Sequence, residues 1–93
     1  MTFYVYILTD DKNTKFIVNF TQNLVRAIHE MKNSAQGFFS ENQINKLVYF
    51  EPHEIYEDAR RREREIISWN DEYTRTIVSL HNAKFEDLYD QIF

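Results

Sequence analysis

The chain has 93 residues, 43% of them apolar and 16% aromatic, with one glycine, one proline and no cysteine. That composition excludes a disordered or collagen-like chain and points to one folded domain over residues 1–93; it also excludes disulfides, zinc-thiolate sites and thiol nucleophiles. With 15 acidic and 11 basic residues the net charge is −4, the opposite of the balance that grips duplex phosphates.

No apolar run approaches the length of a membrane span, and the first residues lack the basic start and apolar stretch of a signal peptide, so a cytoplasmic protein without membrane association is expected. Residues 3–8, FYVYIL, are rich in aromatic and β-branched types and apolar at consecutive positions, which predicts a strand buried on both faces. The polar cluster TDDKNT then predicts a hairpin loop, and KFIVNF over 15–20 a second, antiparallel strand. Thr21 is expected to cap a helix over 22–32, with the NSAQG stretch closing it near Gly37. A third strand, KLVYFE over 46–51, is expected to stop at Pro52. Helices are predicted over 54–69, from a cap at Asn70 or Asp71 through Leu80, and in the final FEDLYDQIF segment, where Phe85, Leu88, Tyr89 and Ile92 recur at helical spacing. The order β-β-α-β-α-α predicts an α+β domain, a three-stranded antiparallel sheet flanked by helices.

Two helices carry functional candidates. In 22–32, Leu24, Val25, Ala27, Ile28 and Met31 share one apolar arc, which turns Arg26 to solvent and leaves His29 at the flank. In 54–69 the stripe Ile55, Ala59, Ile66, Trp69 encloses Arg62, with Glu63 one step off. A charge inside such a stripe needs a partner. One reading is that the Arg62 stem covers the core and Glu63 pairs with an arginine or a tyrosine hydroxyl; the other is that Glu63 is a metal-binding or acid-base carboxylate. Periodicity alone leaves both open. The cluster Arg60, Arg61, Arg62 and Arg64 is interleaved with acids at pairing distance, which predicts a salt-bridged face rather than a nucleic-acid patch.

The segments YVYILTDDKNTKFIVNFTQNLVRAIHEMK, KLVYFE, ARRREREIISW and NAKFEDLYDQIF together resemble the small stand-alone GIY-YIG domain proteins, relatives of the nuclease domain of the excinuclease C subunit. The resemblance spans nearly the whole chain and implies a GIY-YIG-like fold. It also implies hydrolysis of DNA phosphodiesters with one Mg²⁺ or Mn²⁺, in which a glutamate holds the ion, tyrosines orient water and an arginine meets the phosphate charge.

Set on that pattern, Tyr6 matches the tyrosine of the first motif and Glu63 the metal-binding glutamate. Phe16 takes the place of the second motif's tyrosine, Val18 that of its glycine, Ala27 that of the catalytic arginine, and Met31 that of the arginine's histidine or tyrosine partner. Ile67 replaces a lysine common in the family, and SENQ replaces basic residues before the third strand. Arg26 points about 100° away from position 27 and so cannot serve in its place. The expectation is therefore an impaired or inactive relative, a pseudoenzyme acting as a binding or interaction module. Phe16, Val18, Ala27 and Met31, if they converge, would form an apolar patch that packs shut or meets a protein partner such as a second copy. The alternative is an active divalent-metal-dependent DNA endonuclease.

Overall fold

A computed structural model describes all 93 residues. Three strands, β1 (Phe3–Thr9), β2 (Phe16–Thr21) and β3 (Lys46–His53), form one antiparallel sheet in the order β2-β1-β3. Helix α1 (Leu24–Lys32) and the short α2 (Phe38–Glu41) follow β2, while α3 (Tyr56–Ile67) and α4 (Asp71–His81) follow β3. No helix is long and apolar enough to cross a membrane.

The central strand explains the layering. Phe3, Val5 and Ile7 point to one face of the sheet and pack with Ala59 and Ile66 of α3 and Val78 of α4. Tyr6 and Leu8 point to the other and pack with Leu24, Ile28 and Met31 of α1 and with Ile44 and Leu47. Because β1 is covered on both faces, its apolar residues run together instead of alternating with polar ones. Between Ile7 and Leu8 the β1–β3 register shifts, leaving Val48 as an extra residue on β3. That bulge turns both Val48 and Tyr49 toward the α3 face, although they are sequence neighbours.

Four local expectations are corrected. Asn23, not Thr21, caps α1: its side chain accepts a bond from the Arg26 N–H at 3.1 Å, while Thr21 ends β2 and its hydroxyl accepts from the Asn23 N–H at 3.1 Å. Gly37 does not close α1, which ends at Asn33; at φ 92° it opens α2, using a backbone conformation that side chains disfavour. Pro52 does not stop β3, which pairs through it to His53. As an edge strand, β3 has no second neighbour to miss the absent N–H.

The last segment is not a helix beyond a 3-10 turn at Tyr89–Gln91. Phe85 packs on the α3 face, whereas Leu88, Tyr89 and Ile92 pack on the α1 face. The chain therefore crosses the outer edge of β3, where Leu88 N–H donates to the Leu47 carbonyl at 2.8 Å and Asp87 accepts from the Leu47 N–H at 3.2 Å. A helix has one buried stripe and cannot wrap an edge onto two faces.

Candidate functional site

β1 and β2 pair Tyr6 with Asn19, which directs both side chains to the α1 face of the sheet. Tyr6 is buried, and burial is the main reason its hydroxyl titrates above its ordinary range; the Asn19 side chain works against that, and the charges of Glu63 and Glu30 add to it. The hydroxyl thus lies within electrostatic reach of a carboxylate from α3 and one from α1.

Glu63 is already partnered. Its Oε1 stands 3.2 Å from Nε of Arg60, one turn earlier on α3, and its side chain is 13% exposed. The contact is an ion pair rather than an aligned hydrogen bond, since the Arg60 Nε–H is buried without an acceptor in line. The rest of Arg60 is fixed: Nη1 donates to the Tyr56 hydroxyl at 3.0 Å, and the guanidinium lies over the rings of Phe20 at 5.0 Å and Tyr56 at 5.9 Å. The Tyr56 hydroxyl is the largest influence holding the Arg60 charge, and Glu63 reinforces it. Tyr56 also meets Phe3 and Phe20 edge-on, at 5.6 and 5.8 Å, so Arg60 rests on a packed aromatic floor. The sequence reading in which Glu63 pairs with a nearby arginine describes this arrangement.

Ala27 lines an open hollow of about 490 Å³ together with Phe20, Arg26, Glu30 and Tyr56. Arg26 itself turns outward and pairs with Glu30 at 3.0 Å, its side chain 75% exposed. His29 is exposed and sits 3.4 Å from the Tyr89 hydroxyl. Met31 is a core residue beside Ile44 and Leu47.

Phe16 and Val18 lie elsewhere. They occupy the opposite face of β2, packed toward α3 and Trp69, and with Ile66, Ile67 and Thr74 they line a groove of about 250 Å³. The single patch of Phe16, Val18, Ala27 and Met31 considered from the sequence therefore does not form; the sheet separates the first two residues from the last two. Strand alternation carries this: residues 16, 18 and 20 share one side, and 17 and 19 the other.

A second polar cluster went unread in the sequence. Tyr49, Glu51 and His53 alternate along β3, so all three share the α3 face. The Tyr49 hydroxyl donates to Glu51 at 2.5 Å, and His53 Nε2 lies 2.9 Å from the same carboxylate. Arg62 completes it, donating to Glu51 at 2.7 Å and to Glu65 at 2.5 Å while its guanidinium covers Trp69 at 5.2 Å. Burial alone raises the Glu51 carboxyl, but the bonds from Arg62, Tyr49 and His53 bring it below its ordinary range. Tyr49 is pushed up to about 12 by burial and then by Glu51. The pattern Tyr-x-Glu-x-His was the available signal.

Nowhere do three or more His, Asp or Glu side chains gather with metal-binding geometry. Magnesium is held through one or two carboxylates beside substrate oxygens, and one oxygen of the Glu63 carboxylate, Oε1, faces Arg60. Of the other three arginines of the basic run, Arg61 pairs with Asp58 at 2.9 Å and Arg62 with Glu51 and Glu65, whereas Arg64 lies exposed on the last turn of α3.

No protein-family model matches the chain, and no curated protein sequence is detectably similar to it. Among solved structures, the solution NMR structure of a UPF0213 protein from Bacillus halodurans is similar over 94% of this chain and 93% of that one, with 24% identity and a TM-score of 0.58. The likeness bears out the α+β, GIY-YIG-like fold with its three-stranded antiparallel sheet.

Proposed function

We propose that this chain is a catalytically impaired relative of the GIY-YIG endonucleases that acts as an interaction module. The observation that carries the reading is the Arg60–Glu63 pair: the carboxylate that resemblance assigns to the metal is neutralised by a guanidinium held at 3.2 Å and anchored on Tyr56. Arginine is absent from position 27, where alanine leaves a hollow in its place. A phosphodiester hydrolase needs an electrophile on the scissile phosphate and a positioned base; here one guanidinium is spent on the metal carboxylate, and the buried Tyr6 hydroxyl is pushed toward staying protonated. Duplex DNA is a poor partner for a net charge of −4 whose helix arginines are largely paired with acids.

A nicking assay on branched and plain DNA with Mg²⁺ and with Mn²⁺, run beside Glu63→Gln, tests the proposal. No cleavage above that of Glu63→Gln is expected. Cleavage that vanishes in Glu63→Gln would overturn it.

One observation favours the alternative, an active divalent-metal-dependent endonuclease. Arg60 does bring a guanidinium to Glu63, whose charge reaches Tyr6, so it would replace the missing arginine if substrate and metal drew it off the carboxylate. In that case Arg60→Gln abolishes cleavage together with Glu63→Gln.

A further inference from the structure

The two edges of the sheet are finished differently. β3 is closed to pairing: Pro52 lies within it, and the C-terminal segment bonds its outer backbone through Asp87, Leu88 and Asn82, whose side-chain amide donates to the Val48 carbonyl at 3.1 Å. Such devices are how proteins prevent strand addition. β2 has none of them. Its sequence FIVNFT contains no charge, proline or glycine, its register against β1 is unbroken, and its other side has no neighbouring strand. Beside it, Ile67 stands 58% exposed at the groove formed with Phe16, Val18 and Trp69.

We infer that β2 is a homodimer interface, through which two copies of this chain join antiparallel about a two-fold axis at Val18 into one six-stranded sheet. This gives a partner to the interaction module proposed above. The argument for a second copy, rather than an unrelated strand, is that β2 is complementary to itself. Reversed about Val18, Phe16 falls opposite the partner's Phe20 and Ile17 opposite the partner's Asn19, so the apolar α3 face of one strand continues into the same face of the other. Each exposed Ile67 then borders the joined face. The ends of the strand bring no charge conflict to such a pairing. At the Phe16 end Lys15 and Arg75, the latter over the Phe16 ring at 5.4 Å, stand with Asp10 and Asp71, and at the Phe20 end Arg60 is paired with Glu63 and Arg26 with Glu30, so two copies meet without setting like charges opposite each other.

The absence of native cysteine allows a clean test. Opposed Cα atoms in an antiparallel ladder are about 4.5–5.5 Å apart, within the roughly 4.4–6.8 Å that a disulfide spans. Val18→Cys should therefore link to its own copy under mild oxidation, far faster than Glu72→Cys on the exposed face of α4. Sedimentation of the unmodified protein from about 1 to about 500 µM should show twice 11.4 kDa at the upper end, and Ile67→Glu should weaken that association at least about tenfold. A protein that stays monomeric throughout, or a dimer in which Val18→Cys links no faster than Glu72→Cys, overturns the inference. Metal-dependent DNA cleavage would unseat the proposed function and leave this interface standing, while a strict monomer would do the reverse.

Discussion

Replacing Arg62 with methionine keeps an unbranched stem over Trp69 and removes a charge from a network that the fold half buries. The side chains of Arg62 and Glu51 are 29% and 18% exposed, so solvent screens the pair only in part. Charge-assisted hydrogen bonds of this kind contribute about 1.5–3 kcal/mol, and the guanidinium over the indole adds about 0.5–1 kcal/mol. Against these, Glu51 keeps Tyr49 and His53 as partners, which limits the cost of leaving it unpaired. The expected net loss is about 2–3 kcal/mol, less than the cost of orphaning a fully buried charge. Urea unfolding at neutral pH reads it: with a slope of about 1–1.5 kcal/mol per molar for a small domain, the midpoint should fall by about 2 M with the slope unchanged. A double-mutant cycle with Glu51→Gln should give a coupling of about 1–2 kcal/mol. A loss below about 0.5 kcal/mol, or no coupling, would refute the claim that this network ties α3 to β3.

Three further outcomes are expected. Asp10 is buried in the hairpin loop, and although burial raises its carboxyl, the Thr14 hydroxyl and the Thr14 and Lys15 N–H groups hold it at about 2. Its contribution is present above pH about 4 and lost as pH falls toward about 2, so Asp10→Asn should cost on the order of 1–2 kcal/mol at neutral pH, after allowance for solvent screening, and flatten the acid limb of a stability–pH profile. Ile28→Ala on α1 removes a fully buried side chain and should cost about 2–4 kcal/mol in the same unfolding assay, whereas His29→Ala beside it should stay within about 0.5 kcal/mol. Titration with duplex DNA at low and moderate salt should show no binding or a salt slope near zero; a steep slope would mean that several free cations reach phosphate.

The strands and long helices were legible because their signals are local. Buried β1 reads as a continuous apolar run, and α1 and α3 show their stripes at helical spacing. What escaped was set by surroundings. Whether Pro52 ends a strand depends on having an open side, and Phe85 to Ile92 repeat at helical spacing yet are divided between two faces by an edge they cross. The candidate site divides the same way. Tyr6 and Glu63 stood out through a family resemblance, but the separation of Phe16 and Val18 from Ala27 and Met31 depends on the β1–β2 register, which hairpin geometry fixes and composition does not. Arg60 looked like one member of a solvated run; its aromatic support comes from Phe20, forty residues away in the chain, and Tyr56.

The proposed loss of activity requires Glu63 to be committed to Arg60 rather than to a cation. Titrating Mn²⁺ into isotopically labelled protein and following paramagnetic broadening of resonances around Glu63, Tyr6 and Asn19 measures that commitment directly. Those resonances should remain sharp until Mn²⁺ reaches about millimolar levels, and Arg60→Gln should lower that threshold by freeing the carboxylate. Selective, saturable broadening at micromolar Mn²⁺ in the unmodified protein would overturn the proposed function, because it would mean that the carboxylate still holds a metal with Arg60 in place.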